Sequence, residues 1–152
     1  MLIRTHLAVT LMAVLLLIDK INYPYIFVPI IIIATFIPDI DTAYSSLGKS
    51  RIFRPLQVFV RHRGLIHSFS FLFLISLILI LIYPIAALPF FVGYGLHLFL
   101  DSFSIEGLKP FYPWGRTSSG KIKTGGKVEV ALFLILIILD LFLIIWKFSN
   151  II

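Results

Sequence analysis

Five apolar stretches of 15 to 19 residues, separated by polar loops, dominate this chain. They run from about Ile3 to Ile18, Tyr23 to Ile37, Leu65 to Tyr83, Ile85 to Leu100 and Val130 to Trp146. The chain has 152 residues, is 60% hydrophobic and has a mean hydropathy of +1.07. A soluble domain carries roughly 45–50% apolar residues. A domain this small cannot hide the excess, so lipid must solvate much of it. A backbone in lipid must satisfy its own polar groups, which leaves helices for segments of this kind. The expected fold is an all-α integral membrane bundle of about five transmembrane helices in one domain, residues 1–152. Several stretches fall short of the roughly 20 residues of a full span. Sixteen residues reach only about 24 Å, so the bundle should be thin or pinch the bilayer. The second stretch, with Pro24 and Pro29, is the weakest span.

The loops set the orientation. Five spans put the N-terminus and the 38–64 and 101–127 loops on one side. That side carries Arg4, then Lys49, Arg51, Arg54, Arg61 and Arg63, then Lys109, Arg116, Lys121, Lys123 and Lys127. The other side has Lys20 and Lys147 alone. Eleven against two places the first side, and with it the N-terminus, in the cytoplasm, and the C-terminus outside. The first stretch lacks a small-x-small cleavage site before Asp19 and reads as a retained helix. The net charge of +6 could suggest nucleic acid, but no nucleic-acid motif accompanies it. In a membrane chain, basic loops set orientation and touch anionic headgroups. Absence of cysteine excludes disulfides, thiolate metal sites and a Cys nucleophile.

The same topology gathers the polar residues. His6 lies about one turn into the first helix, and Asp39 and Asp41 follow the second. His62 and His67 flank the start of the third, His97 and Asp101 end the fourth, and Glu129 opens the fifth. Histidines and carboxylates at one edge of an apolar bundle suit Zn²⁺, or Mn²⁺ or Fe²⁺, as one or two ions. His97 and Asp101, four apart on a helix, share a face. Pro38 stops the second helix, and an extended Asp39-Ile40-Asp41 would direct both carboxylates to one side. Asp39 is then expected to ligate, and Asp41 to bridge, bind a second ion or orient a histidine. His62 and His67 are about 140° apart on a continuous helix, so Gly64 should break it, with His67 in the first helical turn. Arg63 beside such histidines suits a phosphate oxyanion. Glu129 could be ligand, general base or partner of the helix dipole.

Each feature has a plainer reading: a histidine bonded to a neighbouring helix, a solvated turn, a basic anchor beside the membrane. Leu47-Gly48-Lys49-Ser50 mimics the end of a phosphate-binding loop, but Ala43 stands where that pattern needs glycine.

Taken in order, Thr5-His6, Pro38-Asp39-Ile40-Asp41, His62-Arg63-Gly64 with His67-Ser68, Gly93-Tyr94 with His97, Asp101-Ser102, Gly107 and Tyr112-Pro113 resemble a known family over nearly the whole chain. It is the LexA-regulated, inner-membrane-bound, metal-dependent hydrolases. The order of His, Asp, His and His-x-x-x-Asp is also similar to the zinc-dependent phospholipase C and single-strand nuclease group. The chain departs from that group in lacking its N-terminal tryptophan ligand and a clear His-x-x-x-Glu. The resemblance implies a membrane-bound metal-dependent hydrolase. The site's depth and the basic loops suggest a phospholipid or lipid-linked phosphoester as substrate. His6, Asp39, His62, His67, His97 and Asp101 would bind metal, Arg63 would hold phosphate, and Asp41 or Glu129 would take a proton. Two rivals are a non-catalytic structural or regulatory metal-binding protein and a metal-ion or proton transporter. The second needs polar groups across the bilayer, where Asp140 and Asp19 are the main ones on the far half.

Overall fold

The computed structural model describes residues 1–41 and 64–149. Among these the chain is all-helical: α1 (Ile3–Leu17), α2 (Pro24–Phe36), α3 (Phe69–Ile82), α4 (Pro84–Ser102) and α5 (Lys127–Ser149). Short 3₁₀ turns follow α1 (Ile18–Lys20) and α2 (Ile37–Asp41). The boundaries have local causes. Pro24 and Pro84 occupy the first turns of α2 and α4, where a missing N–H costs nothing. Ser68 caps α3 by accepting from Phe71 N at 3.2 Å. Pro29 lies inside α2 without ending it.

Among the described residues, three segments are long and apolar enough to cross a membrane: Pro24–Asp41, Pro84–Ser102 and Lys127–Ser149. The 15 residues of α1 and 14 of α3 span only about 21–23 Å, so these two helices are short, as the sequence suggests. The side chains facing outward are apolar, among them Leu77, Leu81, Ile82, Ile138 and Phe142. That surface suits lipid, not water.

The helices run up and down, so the starts of α1, α3 and α5 meet the ends of α2 and α4. The most extensive packing joins α2 to α4, and α5 rests against α1. Gly93 permits the first contact: a Cβ there would lie 2.3 Å from the Ile31 carbonyl oxygen. Ala34, Leu72, Phe90, Tyr94 and Leu98 fill the core beside it, and the Tyr94 hydroxyl donates to the Ile66 carbonyl. Thr10 and Thr35 join α1 to α2 through hydroxyls 2.9 Å apart. The segment between α4 and α5 is a folded loop held by isolated bridges Ser104–Ile122 and Leu108–Ser118. Gly107 adopts φ +61° there, with the Ser118 carbonyl where a Cβ would stand. Phe69 N donates to Pro110 O at 2.8 Å, tying this loop to the start of α3.

Candidate metal centre

Asp101 is the hub. It ends α4 one helical turn beyond His97, so both point into the same space. Its two oxygens serve different neighbours. Oδ1 lies 3.3 Å from His6 Nε2 and also contacts the Met1 amino group. Oδ2 lies 3.6 Å from His67 Nε2 and 3.7 Å from His97 Nε2. Asp39 Oδ1 stands 3.8 Å from His97 Nε2. These donor spacings approach the roughly 3.3–3.4 Å edge of a tetrahedron around a zinc ion. Among the described residues two overlapping trios emerge, His6–His97–Asp101 and Asp39–His67–His97.

Their chemistry fits a metal. Both ring nitrogens of His6 and Nε2 of His97 are buried with no hydrogen-bond partner among the described residues. Buried nitrogens left without a partner are costly unless something binds there. The His6 and His97 rings stack with centroids 4.0 Å apart, and one nitrogen of each lies within 4.8 Å of the other and of an Asp101 oxygen. His97 Nδ1 donates to the Thr35 carbonyl at 2.7 Å, which leaves Nε2 with its lone pair toward the cluster. The sequence also explains why that carbonyl is available. Pro38 stands three residues on, in the 3₁₀ turn, and has no N–H to claim it. His67 Nδ1 bonds Asp41 Oδ2 at 2.9 Å, the carboxylate–histidine arrangement found behind metal ligands. Burial pushes the His67 imidazole down, but Asp101 and Asp41 outweigh it and raise its pKa to about 9.

The structure thus brings together His6, Asp39, His67, His97 and Asp101, with Asp41 behind His67. Two sequence expectations need correction. Asp39-Ile40-Asp41 is a 3₁₀ turn, not an extended strand. Residues two apart in it diverge, so Asp39 faces His97 while Asp41 faces His67. His67 lies ahead of the Ser68 cap, outside the first turn of α3. Glu129 stays apart from the converging donors. Its Oε1 accepts from Leu2 N at 2.6 Å and Thr5 Oγ1 at 3.0 Å, and Oε2 from Gly125 N at 2.6 Å. With both oxygens so engaged and 0% exposure, it clasps the start of α1 to that of α5. His62 and Arg63 lie outside the described residues. Sequence reasoning missed Thr35, which acts through its backbone carbonyl; a threonine three before Pro38 was the only available sign.

The family model for the YdjM inner membrane protein matches residues 1–151. The chain belongs to this family. Membership agrees with the apolar helices in assigning the chain to an inner membrane. No curated protein and no solved structure matches it.

Proposed function

We propose that this YdjM-family protein is a metal-dependent hydrolase that cleaves a phosphoester of a phospholipid or lipid-linked substrate at the cytoplasmic membrane face. One observation carries the reading: buried Nε2 atoms of His6 and His97, without a hydrogen-bond partner among the described residues, stand 3.3 and 3.7 Å from the Asp101 carboxylate where the helix ends meet. A divalent ion, zinc first and manganese or iron next, would be held by His6, Asp39, His67, His97 and Asp101 and would supply Lewis acidity to a phosphoryl oxygen and to water. The chain's own groups do the rest. Asp41 and the Thr35 carbonyl hold His67 and His97 in the tautomers that present Nε2. Asp39 has the most open side chain of the set, 19% exposed, so substrate approaches from its side. Arg63, three residues before Ile66, supplies a guanidinium for the phosphate. The excess of basic loop residues over the two on the opposite face supports the cytoplasmic assignment.

The near-complete burial of His6, His67, His97 and Asp101 favours a second reading, a closed structural or regulatory metal site without catalysis. Protein loaded with zinc, manganese or iron in lipid nanodiscs separates the two. Incubation with phospholipids and polyprenyl phosphates should release a phosphate-bearing product, and His97→Ala and Asp101→Ala should abolish release. Metal-bound protein that is inert on every substrate with every ion would overturn the hydrolase reading and leave the closed site.

A further inference from the structure

The loop between α4 and α5 has a composition that the metal centre does not use. It is a folded element, locked by the Ser104–Ile122 and Leu108–Ser118 bridges and tied to the start of α3. Yet it presents large aromatics outward: Trp114 is 78% exposed and Phe111 60%. Lys109, Arg116, Lys121 and Lys123 are exposed within the same stretch, where Glu106 is the one exposed acid among the described residues. Aromatics that exposed would be a liability in water. At the boundary between headgroups and acyl chains, amphipathic rings are at home. A surplus of cations beside them complements anionic headgroups. The loop also springs from the metal-site end of the bundle, directly after Asp101 and Ser102, so it stands at headgroup depth whatever the site does.

We infer that this loop is an anionic-lipid platform: Phe111 and Trp114 seat in the bilayer interface while Lys109, Arg116, Lys121 and Lys123 gather anionic phospholipid headgroups beside the site. The inference does not rest on hydrolysis, since it concerns lipid held without reaction. If the hydrolase reading also holds, the platform concentrates substrate-like lipid at the opening by Asp39.

The test uses the full chain carrying Trp146→Phe, which leaves Trp114 as the sole tryptophan. The protein is placed in nanodiscs of equimolar phosphatidylglycerol and phosphatidylcholine, with shallow bromines on one lipid or the other. Bromines on phosphatidylglycerol should quench Trp114 more strongly, corresponding to about fivefold enrichment of the anionic lipid, the factor that one basic residue near the surface contributes. The preference should vanish when Lys109, Arg116, Lys121 and Lys123 are all changed to Gln, and in unmutated loops at about 1 M salt, where the Debye length is only ~3 Å. Because those four side chains are exposed, the variant should keep its fold, and the salt arm needs no substitution. Equal quenching by both lipids would overturn the selection of anionic lipid. Absence of quenching by either would overturn the interfacial seat of Trp114.

Discussion

Replacing Asp41 by Asn tests the site's architecture with the least change of shape. Asp41 Oδ2 and His67 Nδ1 are 2.9 Å apart and both residues are buried. A carboxylate can only accept, so Nδ1 keeps its proton, and the proton that Nε2 directs toward Asp101 Oδ2, 3.6 Å away, is the one an ion would replace. An asparagine amide can turn its NH₂ to the ring instead, which demands the opposite tautomer and puts an N–H where the ion should sit. Removing such a partner behind a ligating histidine costs about 10–100-fold in metal affinity. That is about 1.4–2.7 kcal/mol, the scale of one hydrogen bond to a charged group. Zinc titration of detergent-solubilised protein against a competing fluorescent chelator reads it directly. Dissociation constants should rise by about 10–100-fold while stoichiometry and helical circular dichroism stay unchanged. Asp41→Ala, which orphans a buried N–H, should also destabilise the metal-free protein by about 1–3 kcal/mol. Unchanged zinc affinity in Asp41→Asn would refute the reasoning, because His67 would then not be a ligand oriented from behind.

Three further substitutions probe the frame. Gly93→Ala places a Cβ 2.3 Å from the Ile31 carbonyl oxygen, so α2 and α4 must part; a loss of about 1–3 kcal/mol in thermal or denaturant unfolding is expected, and no loss would mean the helices are not so close. Glu129→Ala leaves Leu2 N, Thr5 Oγ1 and Gly125 N without their acceptor and should cost about 1–3 kcal/mol, yet spare metal stoichiometry; loss of metal with the fold retained would make Glu129 a ligand after all. Asp140 lies in α5 at 2% exposure, and neither carboxyl oxygen has a hydrogen-bond partner among the described residues. A mid-membrane carboxyl costs about 2.5–3.5 kcal/mol on insertion scales, so Asp140→Leu should raise the melting temperature, and a lower one would reveal a partner for Asp140.

Helix periodicity and topology account for what is legible in the sequence. The four-residue spacing of His97 and Asp101 fixes their common face by helix geometry alone. Alternation of five spans brings His6, on the first helix, to the depth of residues more than 30 positions away, because helix ends can meet at only two levels. The rest turns on details that side-chain letters do not carry. Asp39 and Asp41 diverge because the chain tightens into a 3₁₀ turn after α2, whereas proline's preference for an extended predecessor suggested a strand. His67 falls outside its helix because Ser68 makes the better cap. Glu129 has the chemistry of a base, and its letter alone does not show that the backbone N–H groups of Leu2 and Gly125 bond to it. The support of His97 is a carbonyl, and any residue at position 35 would have offered one.

Metal content of the purified, full-length protein, measured beside His97→Ala and Asp101→Ala, tests the central claim most directly. The account predicts one or two equivalents of zinc, manganese or iron, lost in both variants while helical circular dichroism is retained. Protein that is metal-free as isolated and stays so after incubation with each ion would contradict it, and would leave the buried histidines a purely structural role.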